Sequence, residues 1–191
     1  IDAMAEMLQP FGLGQRTGID ITGEQDGILP STDWNRAALG EPWSPGETIS
    51  AGIGQGYMLA TPLQLAQAAM VLANKGESFV PSVVHRVDDM TVGGVQRPSI
   101  PMDEADWQAV VVGMVDVVHS PRGTAAGIAR GLGYQIAGKT GTSQVISIAQ
   151  DAIYDEKAIS ERNRNHGLFI AFAPAENPRI VVAVSYTHLR A

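Results

Sequence analysis

The chain has 191 residues, 45% of them hydrophobic and 17% charged, a balance that supports a buried core and argues against disorder. A net charge of −7, with no run of Lys or Arg, argues against a binder of nucleic-acid phosphates. The absence of cysteine excludes disulfides, thiolate metal sites and cysteine nucleophiles.

No apolar stretch reaches the ~18 residues that a membrane-spanning helix needs. The chain opens on Ile1 inside a helical pattern, so it reads as a piece of a longer protein. Met4, Met7 and Leu8 stand at helical spacing over residues 1 to 9, and Pro10 and Gly12 stop that helix. A connector rich in glycine follows up to Pro30, with Ile19 and Ile21 alternating like a small strand. Ser31 can cap a short helix through Ala38. Residues 40 to 60 are rich in Gly and Pro, and no helix is predicted there. Thr61-Pro62 is a strong helix start, a hydroxyl cap with proline at the first helical position. That helix is predicted to reach Asn74 and to close at Gly76. It is apolar almost all round, interrupted only by Gln64 and Gln67, the pattern of a helix buried in a domain.

Residues 81 to 87 and 91 to 96 are predicted to pair as a hairpin, with Gly93-Gly94 as a bend. Asp103 caps a second long helix. Trp107, Val110, Val111, Met114, Val115 and Val118 form its one-sided apolar stripe, which ends before Pro121. The last third reads as strands, over 134 to 145, 166 to 173 and 179 to 186, with Asn177-Pro178 turning between the last two. Residues 149 to 165 read as a polar surface loop with a helical turn. Helices first and antiparallel strands last imply an α+β domain.

The sharpest local feature is Gly138-Lys139-Thr140-Gly141-Thr142. Residues 133 to 140 formally fit the phosphate-loop pattern, but no apolar strand precedes them and no helix start follows Lys139. A plain strand with one exposed lysine is the bland alternative. The third reading is the K-T-G element of serine acyltransferases that bind penicillin. In that role Lys139 places a positive charge in a cleft and favours an anionic substrate. Thr140 and Thr142 offer hydroxyls to a carboxylate, and Gly141 keeps the strand flat so that a peptide can approach. The strand edge could then accept an extended peptide.

The flanking motifs weigh between these readings. Arg122-Gly123-Thr124-Ala125 precedes the element, and residues 166 to 174 (HGLFIAFAP) follow it. Upstream stand Phe11-Gly12-Leu13-Gly14, Thr17-Gly18-Ile19-Asp20 and Gly23-Glu24. Then comes Gly54-Gln55-Gly56-Tyr57, leading into Thr61-Pro62-Leu63-Gln64-Leu65. In this order and spacing the set resembles class B penicillin-binding proteins over residues 1 to about 185. The stretch from Gly54 to Leu65 looks most like the elongation branch, with the division-specific branch a near neighbour.

The resemblance implies a penicillin-binding transpeptidase fold, shared with serine β-lactamases: an antiparallel sheet beside a helical lobe. This chain would supply the last three of five strands, the edge strand carrying Lys139 to Thr142. The implied activity is a D,D-transpeptidase that cross-links peptidoglycan stem peptides through a serine acyl-enzyme and is trapped by β-lactams. The family's S-x-x-K element has no counterpart in this chain, and Ser143 and Ser147 are poorly placed to replace it. Substrate binding therefore falls to Lys139, Thr140, Gly141 and Thr142, with no catalytic nucleophile here and the chain inactive alone. No metal or organic cofactor and no nucleic acid is implied. The implied partners are stem peptides, β-lactams, a membrane glycosyltransferase and cell-shape scaffold proteins. The implied place is the outer face of a bacterial cytoplasmic membrane. Residues 1 to 185 are expected to be the C-terminal part of the transpeptidase domain, and 186 to 191 an atypical tail where a covering helix is expected. A serine β-lactamase and a β-lactam sensor remain alternatives.

The remaining conspicuous residues take structural readings. The four histidines, His85, His119, His166 and His188, lack metal-ligand spacing. Gly52 to Gly56 is half a dinucleotide fingerprint outside any βαβ unit, and reads as a loop near the cleft. Asp20, Glu24 and Asp26 read as turn-forming or solvated, and Trp34, Trp43 and Trp107 as packing residues.

Overall fold

The computed structural model describes residues 1–145, 159–160 and 163–187. Among the described residues five helices run in chain order: α1 (Asp2–Leu8), α2 (Thr32–Leu39), α3 (Pro45–Gly52), α4 (Pro62–Ala73) and α5 (Glu104–His119). A 3-10 turn over Gln9–Phe11 extends α1 and ends on Gly12 in the left-handed region. Four two-residue strands lie between α4 and α5: β1 (Ser78–Phe79), β2 (Arg86–Val87), β3 (Met90–Thr91) and β4 (Gln96–Arg97). The last third forms an antiparallel sheet of β5 (Ala137–Ser143), β6 (His166–Ala173) and β7 (Ile180–Tyr186), in the order β5-β6-β7. The α+β expectation holds, and so does the edge position of the strand that carries Lys139. Strand β7 runs to Tyr186, paired with Gly167, one residue past the boundary expected at 185.

Helix α4 is the hub. It packs on β6, β7, α5 and the 3-10 turn. Val71 joins Phe11 and Trp107 in one apolar cluster, and Leu72 and Ala73 border a second one made by Met114, Ala137 and Phe172. The helix starts where the sequence predicts. Thr61 Oγ1 accepts from the Gln64 backbone N–H at 3.1 Å, and Gln64 Oε1 accepts from the Thr61 N–H at 2.8 Å, a reciprocal capping box.

Helix α4 is buried, as its apolar sequence predicts, and its two glutamines lie inside with it. Gln64 is fully buried, and Gln67 nearly so. Gln64 Nε2 donates to the carbonyls of Gln15 (2.8 Å) and Asp26 (2.7 Å), tying the glycine-rich connector to the helix. Gln67 Nε2 donates to Ser78 Oγ and to the Phe79 carbonyl, tying down β1. A buried amide is tolerated because its hydrogen-bonding capacity is met. Gly27 serves the same junction. It adopts φ +63°, and a side chain there would meet the Leu59 carbonyl and Gln64 Oε1.

Five expectations are corrected. Residues 19 to 21 form no strand, because the Asp20 carboxylate is taken by the β1–β2 connection instead. Residues 40 to 60 contain α3, whose start carries a capping box between Ser44 and Glu47 with Pro45 at the first helical position. The glycines around it hid that signal. The predicted hairpin is shorter and differently centred: β2 pairs with β3 around Asp88-Asp89, and β1 pairs with β4. Gly93 and Gly94 both adopt positive φ. On α5, Trp107, Met114 and Val118 are buried as predicted, but Val110 is 41% exposed. The strand predicted over 134 to 145 is confined to 137 to 143. Most of the polar loop predicted over 149 to 165 lies outside the described residues. Among the described residues no helix is long and apolar enough to cross a membrane.

Candidate functional site

Strand β5 pairs with β6 through seven register positions from Ala137↔Phe172 to Ser143↔His166, and its other edge carries no strand among the described residues. Side chains alternate across it, so Lys139 and Gly141 share the face of Ala137, and Thr140 and Thr142 the opposite one. Ala137 is buried with Met114 and Phe172, whereas Lys139, Gly141 and Thr142 are exposed. The Lys139 ammonium donates to the Thr140 carbonyl at 2.6 Å, and no carboxylate pairs with it among the described residues. The Oγ1 atoms of Thr140 and Thr124 lie 2.6 Å apart.

The phosphate-loop reading fails on this geometry. Gly138, Lys139 and Thr140 lie inside a strand that continues to Ser143, so the lysine is not followed directly by a helix N-terminus and its nest of N–H groups for a phosphate.

Beside the strand opens a cleft of about 330 Å³. Gly141, Thr142, Ser143 and Leu168 wall it on the sheet side; Ile53 and Leu59 from the α3–α4 connection and Leu65 of α4 wall the other side. Thr140 and Lys139 stand one and two positions further back along the strand, roughly 3.3 Å per step. The four predicted site residues are thus contiguous on one exposed edge, and two of them border the cleft directly. The glycine-rich stretch at 52 to 56 lies where expected, beside this cleft, although Gly52 is the last residue of α3 rather than part of a loop.

Two glycines of β5 differ in what they face. A Cβ at Gly138 would stand 2.8 Å from Phe169 Cζ, so packing excludes a side chain. A Cβ at Gly141 would meet only Leu168, at 3.4 and 3.7 Å, which is ordinary contact. Nothing within the described fold requires glycine at 141.

The strand is positioned by the end of α5, which carries two residues that sequence reasoning left without a role. His119, the last residue of α5, accepts from the Ile136 N–H through Nε2 at 2.9 Å and so holds the chain entering β5. That bond assigns the proton of the neutral ring to Nδ1. Thr124 was visible only as part of the Arg122-Gly123-Thr124-Ala125 motif. A pair of Thr residues 16 positions apart carries no periodic signal.

On the flank of the cleft, Trp34 and Trp43 pack against Tyr57, with ring centroids 5.4 and 6.5 Å apart. The charge of Glu47 pushes the Tyr57 hydroxyl above its ordinary range. Trp107 is core, as expected. The acidic residues of the connector are structural. Asp20 accepts from the Val83 N–H, the Ser82 hydroxyl and the Val84 N–H, which pull its carboxyl down to about 2. Burial pushes Glu24 upward, but bonds from Thr17 and Gly18 outweigh it and leave it lowered. Asp26 pairs with Arg16 on the surface.

Comparison with known proteins adds three findings. The penicillin binding protein transpeptidase domain family matches residues 1–189. The peptidoglycan D,D-transpeptidase MrdA of Acinetobacter baumannii is 45% identical over the whole chain, which spans 29% of that relative's length. Among solved structures, Pseudomonas aeruginosa PBP2 in complex with WCK 5153 superposes with a TM-score of 0.84 at 42% identity, covering 97% of this chain and 39% of that one. Helicobacter pylori PBP2 in complex with MreC gives 0.78 at 29% identity, covering 97% of this chain and 32% of that one.

Proposed function

Since the chain belongs to the penicillin-binding protein transpeptidase family, we propose that it forms the substrate-binding wall of a peptidoglycan D,D-transpeptidase. In this reading β5 receives the terminal carboxylate of a stem peptide, or the carboxylate of a β-lactam. Residues 1 to 185 are the C-terminal part of the transpeptidase domain. The observation that carries the reading is an edge strand on which Lys139 and Thr142 are exposed, Thr140 is half-buried, and none of the three pairs with a carboxylate among the described residues.

Each group has a task in the binding step. Lys139 supplies positive potential and draws in an anion. Thr140 and Thr142 donate hydroxyl hydrogens to the carboxylate, bonds strengthened by its charge. Gly141 leaves the strand face low, so the donor peptide can lie against the edge and pair with it as an added strand. The tolerance of the Gly141 site for a Cβ supports this assignment, because packing gives no other reason for the glycine. The serine that attacks the D-Ala-D-Ala bond and forms the acyl-enzyme is not assigned to any residue here, since no Ser-x-x-Lys occurs in the chain. An amine of a neighbouring stem would then take the acyl group.

By the same resemblance the protein works on the outer face of the cytoplasmic membrane, with a membrane glycosyltransferase and scaffold proteins of cell shape. The H. pylori relative bound to MreC supports a scaffold partner.

The test is acylation of the full-length protein by a fluorescent penicillin. Lys139→Ala is expected to slow it by ~10²-fold, the cost of one electrostatic contact in a preorganised site. An unchanged rate would return Lys139 to a merely structural role.

A further inference from the structure

We propose that Thr124 is a positioning residue for the carboxylate subsite: its hydroxyl donates to Thr140 and leaves the Thr140 hydrogen free to point at the ligand. The proposal rests on the assignment of β5 as the carboxylate-binding strand.

A hydroxyl has one hydrogen to donate and two lone pairs to accept with. The Thr124 and Thr140 oxygens lie 2.6 Å apart, and either can be the donor. If Thr140 donates to Thr124, its hydrogen is committed and it meets a ligand only with lone pairs. If Thr124 donates, Thr140 keeps its hydrogen for the ligand. A carboxylate only accepts, so it selects the second arrangement. The result is a two-step donor chain, Thr124 to Thr140 to carboxylate, in which each bond polarises the next.

The surroundings hold Thr124 where this chain requires it. The turn after α5 folds back on the helix end: the Gly123 N–H donates to the Ser120 carbonyl at 2.9 Å, and the Ala125 N–H to the Val117 carbonyl at 3.0 Å. Gly123 lies so close to the carbonyls of Asp116 and Val117 that a side chain there would collide with them. His119 holds the other end of the same segment through Ile136. Thr124 thus comes from a turn clamped at both sides onto α5, and α5 itself packs on β5. The Thr124 side chain is exposed, so its own packing does not explain its place.

The experiment uses the full-length protein, with acylation rates measured for a penicillin and for its methyl ester, which lacks the carboxylate charge. Thr124→Val keeps the shape and removes the hydroxyl; Thr124→Ala is the second variant should valine disturb folding. Either is expected to slow acylation by the free acid ~5-fold, the order of one neutral hydrogen bond that orients and polarises Thr140. The slower ester reaction should stay unchanged, and Thr124→Ser should restore the rate for the acid. A loss shared equally by acid and ester, or no loss at all, overturns the proposal. Thr140→Val separates the two levels. If it abolishes the preference for the acid while Thr124→Val does not, only the donor chain is wrong; if it leaves the preference intact, β5 is not the carboxylate site.

Discussion

The junction around Gln64 and the edge strand β5 use the same kinds of polar group in opposite ways. Gln64 is fully buried, and its amide holds the carbonyls of Gln15 and Asp26 and the N–H of Thr61. Its hydrogen-bonding capacity is directed entirely at the fold. Among the described residues, the Lys139 ammonium on β5 reaches only its neighbour's carbonyl, and the Thr140 hydroxyl only that of Thr124. Those groups remain oriented but accessible. The glycines repeat the contrast, since packing demands Gly27 and Gly138 and leaves Gly141 unexplained. A polar group or glycine that the fold does not need is the better pointer to a ligand.

This contrast can be broken by substitution on either side. The largest effect on stability is expected at the buried junction. Gln64→Leu strands two carbonyls and one N–H, each costing about 1–3 kcal/mol, so the loss should reach roughly 3 kcal/mol or more. A denaturant titration of the full-length protein reads it, and the molecules still folded should acylate normally. A loss under about 1 kcal/mol would mean that water replaces the amide.

The two strand glycines give a sharper pair. Gly138→Ala forces a methyl against Phe169 and should cost about 1–3 kcal/mol. Gly141→Ala should cost less than about 0.5 kcal/mol, the range of an unobtrusive surface change, yet weaken binding of a penicillin or donor peptide. Equal destabilisation by both would remove the argument that Gly141 faces a ligand.

The smallest effect expected is a pH dependence at Asp20. Its carboxyl is held at about 2 by Val83, Ser82 and Val84, below the ordinary 3.8. A lowered folded-state value stabilises above the unfolded value, and that contribution disappears as pH falls through the folded one. Wild-type stability should therefore decline from about pH 4 towards pH 2, and Asp20→Asn should flatten part of the decline. The measurement is the unfolding midpoint across that range. An identical profile in the variant would show that the Asp20 bonds contribute nothing to the hairpin's attachment.

Where a few neighbouring residues decide the local conformation, the elements could be read directly. Ser31 and Thr61 cap α2 and α4 because a hydroxyl accepts from an N–H three residues on. Alternating aromatic and aliphatic residues placed β6 at its observed limits. Signals of the same kind were present but obscured at α3, where Ser44-Pro45 and Glu47 form a capping box among glycines. The candidate site divides likewise. Lys139 to Thr142 were legible as one motif, whereas His119 and Thr124 gain meaning only from where α5 ends.

By itself the sequence determined the starts of α2 and α4, the extended segments of the last sheet and the short motif proposed to bind substrate, since caps, periodicity and spacing act within a few residues. Only the tertiary structure decided that Gln64 is buried, that Ile19 to Ile21 forms no strand and that Val110 faces solvent. It also decided that Lys139 lies on an edge strand beside Thr124. Those outcomes depend on partners tens of residues away, and the free energy of a long-range hydrogen bond or packed contact outweighs the small conformational preference of any single residue.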